Sequence, residues 1–382
     1  MAYGNIFSTN FLNGKKLNKL IKIMKILCFT DGFMQGGAER QLVGLANLLQ
    51  KNGYDVILAS YHKYNFYKPL IDSCNLRYYY IDGGDKQITK LYACFKYFKK
   101  EKFDWIISYK GGSNQICCVL KALGLKYRLI VSERCLVYNF NSYQKKKFFL
   151  YRFANIIVPN SNAQEKFIKQ HYPQYSLKIK TITNFTDTNY FIPSNINEHE
   201  GRFKILVTAR LSKQKNIERF IQTVKKVYEK DKTIRVDWYG NINYLEEDYA
   251  EYCKKLVEKL NISNVFYFHD ATNNILEEYQ QCDVFCLPSI FEGFPNVVCE
   301  AMSCGKPILC SNVCDNSSII EDGVNGYLFD PESIDDMASK ILKMSHLSKE
   351  TIINMGEASR KIAESKFSEE VFVNKYINII ES

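Results

Sequence analysis

The sequence predicts an α/β protein of two doubly wound parallel-sheet domains facing a cleft. Three observations predict it. Short apolar runs alternate with stretches of helical spacing, the pattern of β-α units with helices on both faces of a parallel sheet. The alternation occurs twice, on either side of a polar, turn-rich linker at 191–202. The 382 residues are enough for about two domains, and the two halves differ in charge. Residues 1–190 carry 29 Lys and Arg against 11 Asp and Glu, whereas residues 191–382 carry 22 against 30.

Residues 1–23 read as an N-terminal extension. Lys15, Lys16, Lys19 and Lys22 interrupt any apolar core of a secretory signal. A basic surface helix touching lipid is the rival reading. The first domain spans 24–190 and opens with a buried strand at 24–30. A loop follows, then a helix to about Lys51, in which Leu42, Leu45, Leu48 and Leu49 hold helical spacing and after which Gly53 marks the stop. Runs at 55–60, 105–108, 129–131 and 156–159 are further strands, and the domain closes near Ile182-Thr183-Asn184. The second domain spans 203–365, with strands at 203–208, 235–239, 265–268, 283–288, 307–311 and 327–329. An amphipathic C-terminal helix lies within 366–382.

Doubly wound sheets bind ligands beyond the carboxyl ends of their strands, so the chemistry belongs to the loops there. The richest is Pro288-Ser289-Ile290-Phe291-Glu292-Gly293-Phe294-Pro295-Asn296-Val297-Val298-Cys299-Glu300. Gly293 permits close backbone approach, and Pro295 suits a helix's first turn, whose free amides face an anion. Glu292 precedes the helix and Glu300 lies about two turns into it. Two carboxylates also fit glycoside hydrolysis, but that chemistry needs one on each side of the bond, and these share one element. A second loop, Ala209-Arg210-Leu211-Ser212-Lys213-Gln214-Lys215, places a guanidinium fork and an ammonium at a strand end, suited to a diphosphate. Gly36-Gly37 follows the first strand and admits a phosphate or sugar. It is not a G-x-G-x-x-G, so a nicotinamide dinucleotide is not supported.

These residues resemble glycosyltransferase family 4, whose members have the GT-B fold. Glu292 to Glu300 matches its E-x7-E motif, within Glu292-Gly293-Phe294-Pro295, Glu300-Ala301-Met302 and Gly305-Lys306-Pro307. Glu321-Asp322-Gly323-Val324-Asn325-Gly326 and Gly36-Gly37-Ala38-Glu39-Arg40 match as well. The resemblance implies a retaining, metal-independent transferase with a nucleotide-diphospho-sugar donor, UDP-linked by expectation. It implies that Arg210 and Lys215 hold the diphosphate and act in catalysis together with Glu292. It gives the ribose to Glu300, the donor sugar to Glu292 and the amides of Gly293, Phe294 and Asn296, and a diphosphate contact to Gly36-Gly37. It also implies that the C-terminal segment crosses back onto the first domain. A nucleotide-sugar epimerase of similar architecture and a silent assembly scaffold remain open.

Two departures stand out. Many relatives carry a histidine where this chain has Leu129-Ile130-Val131-Ser132-Glu133-Arg134-Cys135, and His269 replaces a usual glycine in the loop that helps choose the base. Glu133 and Arg134 are candidates for acceptor binding, or else an ion pair at the loop base. Tyr109 and Lys110, at another strand end, are further acceptor candidates, and His269 is a donor candidate.

The basic first half excludes no anionic partner by charge alone, but it holds no nucleic-acid motif. Lys96, Lys99, Lys100, Lys102 and Lys145-Lys146-Lys147 are interleaved with Phe95, Tyr97, Phe98, Phe103, Phe148 and Phe149. That mixture suits an anionic membrane surface. The expectation is a cytoplasmic enzyme, peripheral at the inner face of a bacterial membrane, extending a glycan or lipid-pyrophosphate-linked saccharide. Thirteen cysteines without C-x-x-C read as reduced core residues, and no metal site is expected.

Overall fold

The computed structural model describes residues 23–135, 137, 140–194, 201–243 and 245–382. Residues 1–22 of the expected extension and 195–200 of the expected linker lie outside the described residues. Two six-stranded parallel sheets face each other. The first comprises β1 (Lys25–Thr30), β2 (Asp55–Ser60), β3 (Arg77–Tyr80), β4 (Trp105–Tyr109), β5 (Arg128–Glu133) and β6 (Ile156–Pro159), in the order β3-β2-β1-β4-β5-β6. The second comprises β7 (Phe203–Thr208), β8 (Ile234–Tyr239), β9 (Phe266–His269), β10 (Val284–Leu287), β11 (Ile308–Ser311) and β12 (Gly326–Phe329), in the order β12-β11-β10-β7-β8-β9. Each sheet reverses its strand order once, between β1 and β4 and between β7 and β10. Those reversals open the crevices in which such folds bind ligands.

The residue pattern accounts for both layers. Along β1, Ile26 and Cys28 enter one apolar cluster while Leu27 and Phe29 enter another on the opposite face. Helices cover both faces, so the strand is apolar throughout rather than alternating. Helix Ile217–Lys230 buries Ile217, Phe220, Ile221, Val224 and Val227, a stripe of 3.6-residue period. β3 is a strand that sequence reading did not find. It lies at the sheet edge with alternating exposure, so Arg77-Tyr78-Tyr79-Tyr80 lacks a continuous apolar run.

The C-terminal segment divides at Ser368. Helix Lys349–Phe367 packs Met355, Ala363 and Phe367 into the second domain's core. Helix Glu369–Glu381 crosses to the first domain and buries Phe372, Val373, Tyr376 and Ile379 there. The Thr186 amide donates to the Phe367 carbonyl at 2.8 Å, which ties this crossing to the connection between the domains.

Burial revises several expectations about exposed groups. Tyr109 is 1 % exposed, and its hydroxyl lies 2.9 Å from that of Tyr376. It is a core residue under the crossing helix, not an acceptor ligand. Lys147 is buried rather than lipid-facing: its ammonium lies 2.6 Å from Glu133 Oε2, and both side chains are 5 % exposed. Phe98, Phe103 and Phe148 are likewise core. Lys96, Lys99, Lys100, Lys102, Lys145, Lys146 and Phe149 are exposed. All the cysteines are free thiols, most of them buried, with Cys135 exposed.

The Glu133–Lys147 pair yields a prediction. Removing one partner leaves a buried charge uncompensated, a cost of about 3–5 kcal/mol. Lys147→Met therefore lowers stability by about that amount in urea titration, and adding Glu133→Gln restores a large part of it.

Candidate active site

In the second domain the crevice lies between the loops after β7 and β10. The first loop forms a 3-10 turn, Lys213–Lys215, ended by Asn216 at φ 59°. Asparagine tolerates that left-handed backbone, and its amide donates to the carbonyls of Pro288 (3.1 Å) and Pro331 (2.8 Å). The Ile290 amide donates to the Gln214 carbonyl and Gln214 Nε2 to that of Phe291, both at 2.9 Å. The two loops are thereby clamped, and Lys215 Nζ lies 2.6 Å from Glu292 Oε1. Glu292 is buried and Arg210 is exposed. Gly240 seals the floor of this region: an added Cβ would stand 2.0 Å from the Ala209 carbonyl oxygen, which only glycine avoids.

Helix Asn296–Ser303 begins one residue later than expected, with Pro295 at its cap position. Glu300 consequently lies little more than one turn into it, not two. Gly305 follows with φ 69°, the left-handed stop. The Asn296 amide donates to the Phe294 carbonyl at 3.0 Å, so it is taken within the turn. The Asn296 side chain instead accepts from Asn184 Nδ2 at 2.6 Å.

The first domain meets this surface with the start of helix Gly37–Lys51. A Cβ on Gly37 would lie 2.8 Å from Asn296 Nδ2, so the two helix starts abut across the cleft. Neither has a side-chain cap. Two positive helix ends without side-chain caps therefore converge on one place, a setting suited to an anion. Arg40, in the first turn, pairs with Glu300 Oε1, and the Tyr279 hydroxyl donates to Glu300 Oε2 at 3.1 Å. Asp315 adds a third link between the domains, accepting the amides of Asn162 (2.6 Å) and Ala163 (2.8 Å) at the start of helix Asn162–His171.

The crevice between β1 and β4 carries its own charged group. Lys110 Nζ lies 2.8 Å from Asp31 Oδ1 and 2.6 Å from Glu39 Oε1. Glu39 in turn closes on Gly36, where an added Cβ would meet its Oε2 at 2.6 Å. Lys110 has φ 74°, a strained backbone for a lysine, which the two ion pairs hold in place. Of the other acceptor candidates, Glu133 is engaged by Lys147 and Tyr151. Arg134 does not pair with it. Its guanidinium donates to Asn184 Oδ1 and lies 4.5 Å over the Tyr109 ring. Arg134 Nε is buried without a partner among the described residues.

His269 stands apart. Its Nε2 lies 2.7 Å from Asp237 Oδ1, and its ring stacks on Tyr239 at 4.4 Å. Burial pushes the Asp237 carboxyl up, but hydrogen bonds from Arg235 and His269 outweigh this and hold it below the usual range. The imidazole is therefore held against the β8–β9 edge.

Sequence reading missed the roles of Arg40, Tyr279, Asp31, Glu39 and Asp315. Arg40 and Glu39 stood in the quoted glycine motif, and charges in a helix's first turn after Gly-Gly are a usable signal. The others meet their partners only through the fold. Among the described residues no group of three or more His, Cys, Asp or Glu is placed to hold a metal ion.

Comparison with known proteins gives the class. The profile of glycosyl transferases group 1 matches residues 190–362. The chain is 24% identical over 320 residues to the amylovoran biosynthesis glycosyltransferase AmsD of Erwinia amylovora, covering 81% of this chain and 86% of that protein. It is 26% identical over 367 residues to an α-1,4-N-acetyl-D-galactosaminyltransferase of Campylobacter jejuni named for an undecaprenol-PP-linked saccharide, covering 91% and 97%. The crystal structure of HepE from Anabaena in complex with UDP superposes with a TM-score of 0.85 at 18% identity, covering 94% of this chain and 100% of that one. The paired crevices of a GT-B cleft and this match across residues 190–362 make the chain similar to the glycosyl transferases group 1 in its second domain and to solved glycosyltransferases in its whole fold.

Proposed function

We propose that this enzyme transfers a sugar from a UDP-linked donor to a lipid-pyrophosphate-linked saccharide in bacterial surface-glycan synthesis, without an essential metal. The observation that carries the donor reading is the Lys215–Glu292 pair, 2.6 Å apart, beside Arg210 and two uncapped helix starts. The UDP complex of the similarly folded HepE and the similar galactosaminyltransferase named for an undecaprenol-PP-linked saccharide support it.

In this reading the diphosphate lies between the starts of helices Gly37–Lys51 and Asn296–Ser303, neutralised by Arg210 and Lys215. Glu300 receives the ribose, and Glu292 with Gly293 and Phe294 receives the donor sugar. The bond from the sugar's anomeric carbon to the phosphate oxygen breaks, and one to the acceptor oxygen forms on the same face. The acceptor's proton passes to the departing diphosphate oxygen, so no separate strong base is needed. Negative charge grows on the leaving group, and cations fixed there bind the transition state more tightly than the ground state. The acceptor enters on the first domain, near Lys110 and Asp31, with Arg134 behind them.

Membrane attachment belongs to the same proposal. Helix Gln87–Glu101 leaves Ile88 and Tyr92 75 % and 64 % exposed, on one face with Lys96 and Lys99. No helix among the described residues is long and apolar enough to cross a membrane. A surface of this kind docks to anionic lipid while its aromatic and aliphatic groups enter the interface.

Two measurements check these readings. UDP raises the melting temperature of the wild type, and Lys215→Ala loses that shift and lowers transfer by about 10²–10³-fold. Glu292→Gln lowers transfer while the protein stays folded. A wild type that no nucleotide stabilises contradicts the donor reading. In flotation with anionic liposomes the protein binds at low salt and is released as salt rises. Replacing Lys96, Lys99 and Lys100 by glutamine removes about 1 kcal/mol each, so binding weakens on the order of a hundredfold. Absence of binding at low salt contradicts the membrane reading.

A further inference from the structure

The Glu300 carboxylate is bonded from both domains. Arg40 of the first domain takes Oε1, and Tyr279 of the second donates to Oε2 while its hydroxyl lies 3.0 Å from Thr208 Oγ1. Glu300 is 5 % exposed. Burying a carboxylate is costly unless a charge or several hydrogen bonds compensate it. Arg40 is the cation among the partners named here.

Arg40 is also joined to the connection between the domains. Its neighbour Gln41 makes a two-bond pair with Phe185: Gln41 Nε2 donates to the Phe185 carbonyl at 2.8 Å, and the Phe185 amide donates to Gln41 Oε1 at 2.9 Å. Asn184, one residue earlier, reaches Asn296. The first turn of helix Gly37–Lys51 thus touches the donor carboxylate with one side chain and the interdomain segment with the next. A cavity of about 330 Å³ lies beside them, lined by Arg40, Gln41, Phe185, Asp187, Glu300 and Glu369.

We propose that Arg40 is an interdomain positioning residue that aims Glu300 at the nucleotide ribose and so couples nucleotide binding to closure of the cleft. This rests on the reading that Glu300 receives the ribose. Arg40 reaches Glu300 only when the domains are together. A nucleotide that prefers the oriented carboxylate therefore favours the closed form, and closure raises nucleotide affinity by the same factor. Opposite charges across the seam support this. The Glu300 field holds the Arg40 guanidinium above its ordinary pKa.

The test uses UDP as the probe, with calorimetric affinity and small-angle scattering for the wild type, Arg40→Ala, Arg40→Lys, Glu300→Gln, Tyr279→Phe and the double variant Arg40→Ala/Glu300→Gln. UDP compacts the wild type. Arg40→Ala weakens UDP about tenfold or more and loses the compaction, and Arg40→Lys restores part of both. Tyr279→Phe weakens UDP but keeps the compaction. In the Glu300→Gln background Arg40→Ala adds less than twofold. The proposal is overturned if Arg40→Ala binds UDP and compacts like the wild type, or if its full effect persists without the Glu300 charge. Should Glu300→Gln bind UDP as tightly as the wild type, the ribose reading itself fails and this inference with it.

Discussion

A buried carboxylate on one domain and a guanidinium on the other close the seam on which the active site depends. Glu300 and Arg40 meet where two helix starts abut, and Asn184–Asn296 and Asp315 with the amides of Asn162 and Ala163 reinforce the contact. All three links are polar. Apolar groups across the seam would fuse the domains, whereas hydrogen bonds and ion pairs exchange with water at modest net cost and allow opening. Much of the binding surface exists only while the seam is closed. In the proposed reading the amides at both helix starts and the Gly36-Gly37 turn come from separate domains and form one anion site together, with the Glu300 carboxylate beside it for the ribose.

The same topology sets out the chemistry in both halves. Each sheet reverses order beside its first strand, and each crevice holds a lysine paired with carboxylate: Lys215 with Glu292 in the second domain, Lys110 with Glu39 and Asp31 in the first. In each case the cation sits on or beside strained or left-handed backbone, at Asn216 and at Lys110. Parallel strands deliver their loops to one edge, so two such sheets turned face to face put both pairs on the same cleft. The basic first half and acidic second half follow this division, with an exposed lysine face on helix Gln87–Glu101 lying outside the cleft.

Much of this was legible in the sequence. Eleven strands announced themselves as short apolar runs because helices bury both faces of each sheet, and the E-x7-E loop carried its own spacing. Edge strand β3 escaped because one face is wet and its tyrosines alternate. Tyr109 and Lys147 were misplaced because amphipathic side chains look alike whether they reach water or a buried partner. Lys147 is fixed inside by Glu133, fourteen residues earlier, and Tyr109 by Tyr376 on a helix that returns from the far end of the chain. Pairings of that range depend on the packed topology, which no local pattern carries. The same holds for Arg40, whose partner lies 260 residues away.

The most direct test is a crystal structure of the protein with UDP. The diphosphate is expected between the starts of helices Gly37–Lys51 and Asn296–Ser303, within hydrogen-bond reach of Lys215, with the ribose hydroxyls on Glu300. UDP bound outside the cleft, or with its phosphates away from Lys215 and both helix starts, would contradict it.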